Sequence, residues 1–224
     1  PWSAIRIGHI DTGATRHPAL GFSAASPVSS FDLLADGINF VEAGQLPVDP
    51  LGYAGQPGHG TRTSSVLGAL LGGTMLGVAP GVHIVPYRIT DCVVIDNPLN
   101  RTRFAEAIRH AANDGGCQVM SVSLGDPCFP PEAVGAQLDV AYEHGVILVA
   151  AAGNITSEVT YPGRYSRAIT AGGVTQAMVP WTGSSRGARV DLCAPAENVF
   201  RANTTLRNSA PLYEYLDTGG DGTS

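Results

Sequence analysis

Three residues far apart along this chain are of the types that together activate an alcohol: Asp11, His59 and Ser224. Asp11 lies in Ile10-Asp11-Thr12-Gly13, His59 in Gly58-His59-Gly60-Thr61 at the start of a helix expected to continue through the apolar helical run Val66 to Leu71, and Ser224 in Gly222-Thr223-Ser224. A serine hydroxyl is a weak nucleophile near neutral pH and needs a base within hydrogen-bond reach, a task that suits the pKa of an imidazole. A carboxylate behind the ring would hold its tautomer and stabilise it once charged. Each residue also has a plainer reading. An Asp at a strand end caps or turns the chain, a His between glycines is a solvated loop residue, and Gly-Thr-Ser is a polar terminus. Asn154, after Ala150-Ala151-Ala152-Gly153, could aim its amide at a developing oxyanion or simply occupy a left-handed turn.

Other matches carry less. Gly183-Ser184-Ser185-Arg186-Gly187 fits G-x-S-x-G, but that elbow needs a later His and the last one here is His144. Asn154-Ile155-Thr156 fits a glycosylation sequon, and a glycan there would exclude any oxyanion role. Asp32, Asp36, Glu42 and Asp49 could contribute to structural calcium binding, yet no EF-hand spacing is present and a solvated acidic face is expected. His9, His17, His83, His110 and His144 show no metal-ligand spacing and are given no role, so neither a metal site nor a required cofactor is expected. None of the four cysteines forms a C-x-x-C pair. Cys117 and Cys193 border apolar runs and are expected to be buried thiols, whereas a bridge between Cys92 and Cys128 stays open.

These residues need a scaffold, and the composition permits one. At 224 residues with 44% hydrophobic and 14% charged residues, the chain can bury a single core, and 28 Gly with 16 Pro predict many loops. All 13 basic residues are Arg, so P-loop, Schiff-base and pyridoxal chemistry lack their amine. A net charge of −6 without a basic run argues against nucleic acid as a partner. No apolar run approaches the roughly 18 to 20 residues of a membrane span. Short Ile/Val-rich runs alternate with helical periods, the pattern of a parallel sheet covered by helices. Strands are expected near Ile5 to Ile10, Val82 to Ile89, Val119 to Leu124, Val146 to Ala151, Ala168 to Gly172 and Val190 to Cys193. Phe104, Ile108 and Ala111, and likewise Val134, Leu138 and Ala141, mark two amphipathic helices that glycines 115, 116 and 145 end. Residues 21 to 58 and 197 to 223 read as surface loops or hairpins.

In order, the chain carries Ile-Asp-Thr-Gly (10 to 13), Gly-His-Gly-Thr (58 to 61), Gly-Val-Ala-Pro (77 to 80), Ser-Leu-Gly (123 to 125), Ala-Ala-Ala-Gly-Asn (150 to 154), Tyr-Pro-Gly (161 to 163) and Ala-Pro (194 to 195). This series resembles the subtilisin-like serine peptidases, the subtilase family, over residues 5 to 224. The resemblance implies an α/β fold, a parallel β-sheet flanked by helices on both faces, forming a single domain over 1–224. It implies a serine endopeptidase that works through the Asp11, His59 and Ser224 triad and an acyl-enzyme, with Asn154 and the Ser224 N–H as oxyanion donors. Ser123, Leu124 and Gly125 would form the edge to which a polypeptide substrate adds as a strand. Ala150, Ala151, Ala152 and Gly153 would wall the pocket for the residue before the cut, with Thr160 at its floor where many relatives carry Gly, so that small or medium apolar side chains fit. Also implied are a prodomain, a monomer, and secretion in preference to a cytoplasmic location. A non-catalytic pseudopeptidase is the alternative, but it predicts damage to the triad or oxyanion residue, and all four are intact. A nucleotide-binding fold would need G-x-G-x-x-G after the first strand, which Asp11-Thr12-Gly13-Ala14-Thr15 does not offer.

The departures are local. Arg62 stands where relatives usually carry a second His, and Ser64-Ser65 where small apolar residues are common, changes expected to touch helix packing more than chemistry. Relatives also continue beyond the nucleophile into a long buried helix. The expectation is a domain truncated at the catalytic Ser, the part after it missing, with residues 1–224 alone inactive and unstable until another segment completes them.

Overall fold

The computed structural model describes residues 2, 4–22, 33–52, 56–71, 74–128, 132–154, 156–216 and 220–223. Ser224, Asp32 and Ile155 lie outside the described residues. In chain order the elements are β1 (Arg6–Asp11), α1 (Leu33–Asp36), β2 (Ile38–Asn39), α2 (His59–Gly68), β3 (Leu70–Leu71), β4 (Met75–Leu76), β5 (His83–Arg88), α3 (Pro98–Asn113), β6 (Val119–Val122), α4 (Glu132–Glu143), β7 (Ile147–Ala151), β8 (Ala168–Val174), β9 (Leu192–Pro195), β10 (Arg201–Arg207) and β11 (Ala210–Leu216).

Seven strands form one parallel sheet in the order β2-β5-β1-β6-β7-β8-β9. The chain builds β2 and β5 on one side of β1, then crosses through α3 to β6 on the other. That reversal puts the carboxyl end of β1 at the switch point where open α/β sheets leave a crevice for ligands. Asp11 is the last residue of that strand.

Side-chain alternation along β1 explains why both faces are covered. Ile10 points into the main core with Phe104, Ile108 and Ala111 of α3 and Val134, Leu138 and Ala141 of α4. The odd positions point the other way: Ile7 joins a smaller cluster with Leu67 of α2, and His9 meets Thr63 and Ser64 of the same helix. The two apolar stripes predicted for α3 and α4 are thus the ones that are buried. On the α2 side cover ends before the far strands, and Ile147, Ile169 and Leu192 remain 49%, 36% and 48% exposed.

Four expectations are corrected. The apolar run after His59 does not stay helical to Leu71: α2 ends at Gly68, and Leu70–Leu71 pairs antiparallel with Met75–Leu76. Ile38–Asn39, within an expected loop, adds an edge strand to β5. Cys193 is exposed rather than buried, because β9 is the other edge of the sheet. Cys92 and Cys128 are both free thiols. The segment expected as loop or hairpin at the end of the chain contains the β10–β11 hairpin, but its inner face is not surface. Ala202, Asn203 and Thr204 are buried, and the Ala202 N–H donates to Ser65 Oγ of α2 at 2.9 Å.

Candidate active site

β1 and α2 deliver the first two residues of the site. Gly58 adopts a left-handed conformation (φ 71°) that a side chain disfavours, and it turns the chain so that α2 begins at His59. The helix then lies directly on the β1 exit, since a Cβ at Gly60 would collide with the Gly13 carbonyl. Only glycine permits this approach. It brings His59 Nδ1 to 2.7 Å from Asp11 Oδ1. Asp11 is fully buried, and its Oδ1 also accepts from the Thr12 N–H at 2.7 Å. Burial alone would raise the Asp11 carboxyl, but the His59 ring beside it, together with His9 and the Thr12 N–H, outweighs this and holds its pKa at about 2. The carboxylate is ionised, and His59 Nδ1 carries the proton it accepts.

A second carboxyl stands behind the first. Asp49 accepts from the Thr61 N–H and hydroxyl, both at 2.8 Å, and from the Thr12 hydroxyl at 2.8 Å. Thr12 Oγ1 in turn accepts from the Gly60 N–H at 2.9 Å. This network ties the β1 exit to the first turn of α2. Asp49 is therefore not part of a solvated acidic face, and burial raises its pKa against the opposing bonds from Thr61 and Thr12. Leu46 and Val48 beside it are themselves exposed, so its sequence neighbours give no signal of this burial. Of the other acids, Glu42 pairs with Arg88, and Asp36 with His83 and Arg6. Among the described residues no group of three His, Cys, Asp or Glu side chains is placed to hold a metal ion.

A cleft of about 330 Å³ opens beside His59, and Asn154 and Thr223 line it. Asn154 is not left-handed; the positive φ falls on Gly153. Thr223 donates its N–H and its hydroxyl to Asn154 Oδ1, both at 2.9 Å, and its oxygen accepts from the Gly153 N–H at 3.1 Å. The carbonyl end of the Asn154 amide is thereby engaged, and no described residue takes its Nδ2 donor. Thr223, which lines this cleft, is the last described residue and precedes Ser224 in the chain.

The residues assigned to the substrate divide. Ser123, Leu124, Gly125, Ala151, Gly153 and Thr160 line the cleft, Leu124 with its side chain in the core. Ala150 belongs to the main core and Ala152 is fully buried, and neither lines it. Thr160 lies against both glycines: a Cβ on Gly125 or Gly153 would come within 2.8 or 2.9 Å of Thr160 Oγ1. Gly125 already uses both main-chain groups, its N–H to Val93 O and its carbonyl from the Ile95 N–H, each at 3.0 Å. A peptide that paired with Gly125 itself would have to replace those bonds. Arg62, expected to affect helix packing, lines the cleft instead and donates to Gln56 at 2.7 Å.

A family model described as the Subtilase family matches residues 2–224. The chain belongs to this family. It is 30% identical over 199 residues to Subtilisin BL of Lederbergia lenta, an alignment covering 88% of this subtilase and 65% of that protein. It is 28% identical over 212 residues to the major intracellular serine protease of Bacillus subtilis (strain 168), covering 91% of this chain and 60% of the other. This subtilase therefore spans less than two thirds of the length of these relatives. Its fold matches that of proteases from Pseudoalteromonas arctica with a TM-score of 0.79 at 20% identity, covering 99% and 73% of the two chains. MycP1 with its N-terminal propeptide removed gives 0.70 at 23% identity, with 99% and 74% covered. No helix among the described residues is long and apolar enough to cross a membrane.

Acidification is expected to destabilise this subtilase in two stages. Burial lowers the pKa values of His9 and His17, so the unfolded chain binds protons first, and stability falls as pH drops below the ordinary value of 6.5. Asp11, depressed from 3.8 to about 2, contributes stability that is complete above pH 3.8 and lost as pH falls through about 2, on the order of 2 kcal/mol. Asp49 is shifted upward, so its contribution improves as pH falls toward 3.8 and offsets part of the first-stage loss, before the second stage begins. Urea unfolding at about pH 7, 5 and 3 measures both stages, and equal stability at the first two would contradict the buried neutral histidines.

Proposed function

We propose that the protein is a serine endopeptidase that hydrolyses peptide bonds through an acyl-enzyme. The observation that carries this reading is the 2.7 Å bond between His59 Nδ1 and Asp11 Oδ1 at the cleft that Asn154 and Thr223 also line; membership of the subtilase family supports it. His59, its proton fixed on Nδ1 by Asp11, presents Nε2 as the base that takes the Ser224 hydroxyl proton. The alkoxide attacks the scissile carbonyl, and the oxygen that gains charge is met by Asn154 Nδ2 and the Ser224 N–H. His59 then returns its proton to the leaving amine, and water repeats the sequence to release the acyl group. The mechanism uses no cofactor.

A fluorophosphonate probe offered to the full-length protein should label it, and Ser224→Ala should remove the label. Labelling that survives the substitution, or a native protein that never labels, overturns the proposal; the latter is what a purely peptide-binding relative would show.

Thr160, wedged between Gly125 and Gly153, makes the specificity pocket shallow and favours small or medium apolar side chains before the cut. Thr160→Gly is expected to raise kcat/KM for substrates with Phe at that position about tenfold or more relative to Ala. A peptide series varied at that residue reads the change, and an unaltered ranking removes Thr160 from the floor.

A further inference from the structure

His9 has no part in the mechanism above, yet it is fully buried two residues before Asp11 on the same face of β1. Its surroundings are polar by design of α2. Thr63 Oγ1 lies 2.9 Å from His9 Nε2 and Ser64 Oγ lies 3.3 Å from Nδ1. Thr63 and Ser64 occupy the helix face that Leu67 continues as an apolar surface one turn later. A buried imidazole costs free energy unless both ring nitrogens are satisfied, and here both are.

The two oxygens of Asp11 are served unequally. Oδ1 receives the strong donors, His59 Nδ1 and the Thr12 N–H, each at 2.7 Å. Oδ2 faces only Thr63 Oγ1, at 3.5 Å, and His9 Nε2, at 3.8 Å. A buried carboxylate oxygen without a donor is expensive, so the protons of Thr63 and His9 must be arranged to serve it. One arrangement does. The Ser64 hydroxyl donates to His9 Nδ1 and His9 Nε2–H donates to Thr63 Oγ1; the Thr63 hydroxyl, which also has the His59 carbonyl at 3.1 Å and the Gly60 carbonyl at 3.2 Å, is then shared between these and Asp11 Oδ2. At 3.5 Å this contact is at the limit of hydrogen-bond distance. The opposite tautomer would aim two lone pairs at the carboxylate.

We propose that His9 is a positioning residue for the triad: through Thr63 it holds Asp11 Oδ2 from the side opposite His59, and so fixes the plane of the carboxylate that orients the catalytic imidazole. The titratable groups around it are Asp11 on its own strand and His59 on α2. Burial keeps the ring neutral, so it supplies a polarised donor chain without competing as a cation for the charge His59 needs. The inference rests on the proposed function for its kinetic consequence but not for its geometry.

The test uses the full-length protein with His9→Val, Thr63→Val and Thr63→Ser. His9→Val and Thr63→Val should each lower kcat about tenfold with KM unchanged, and the double variant should lose little more, because both break one chain. With a donor to Oδ2 gone, Asp11 binds the His59 proton more strongly, and the acid limb of kcat/KM should move to higher pH. Thr63→Ser should restore wild-type values. The His59 Nδ1 proton, read by NMR in the Ser224→Ala background, should shift in Thr63→Val and return in Thr63→Ser. Should His9→Val fail to fold, Thr63→Val, equal in shape, decides. An unchanged pH profile and an unmoved proton in Thr63→Val overturn the inference even where melting temperature falls. A native protein that neither labels nor hydrolyses peptides overturns the proposed function instead, and the proton shift still judges His9.

Discussion

Asp11→Asn is expected to lower kcat about 10⁴-fold with little change in KM. Either orientation of the new amide removes the negative charge that faces the imidazolium formed during turnover. If its NH₂ group turns toward His59, the ring proton also moves to Nε2, where it blocks uptake of the serine proton. The fully buried position of Asp11 makes the loss large, since no water can take the place of the missing charge. Steady-state kinetics on a soluble peptide substrate measure it, with chemical denaturation alongside to confirm folding. A decrease smaller than about tenfold would mean that the 2.7 Å contact to His59 does not serve catalysis.

Asn154→Ala is expected to lower kcat by about 10² to 10³, or about 3 to 4 kcal/mol of barrier, again with KM nearly constant. The reason lies in how Thr223 holds the amide. Both Thr223 donors engage Oδ1, which leaves Nδ2 as the end available to an oxyanion. Asn154→Asp is a second control: it keeps the acceptor that Thr223 requires and replaces the donor with a negative charge facing the oxyanion. A loss at least as large as in Asn154→Ala would support the donor role. A variant whose entire defect appears in KM would show that Asn154 binds the ground state and not the transition state.

Much of this site is legible in the sequence because its parts announce themselves locally. Asp11 ends an apolar strand, His59 is flanked by glycines, and Asn154 follows four small residues that leave β7. The helical stripes of α3 and α4 were equally plain, since apolar residues at one period have to be buried together. What escaped depends on tertiary neighbours. Asp49 carries no motif, and its place behind Asp11 is set by Thr12 and Thr61, which lie 37 and 12 residues away. His9 gains its surroundings only when α2 lies across β1, bringing Thr63 from 54 residues further on. The same holds for Cys193, whose flanking residues suggested burial until the strand order placed β9 at an edge. Leu70 was drawn into the helix by hydrophobicity, although the fold uses it in a short antiparallel pair.

The uneven cover of the sheet has a practical consequence. Ile147, Ile169 and Leu192 form an oily strip open to solvent on the far strands, while the opposite face buries the main core and is open only toward the β9 edge, where Cys193 is exposed. An environment-sensitive dye such as ANS should fluoresce with this chain at neutral pH although its backbone is native. The glow then belongs to the intact sheet, and loosening is reported only by an increase over that baseline.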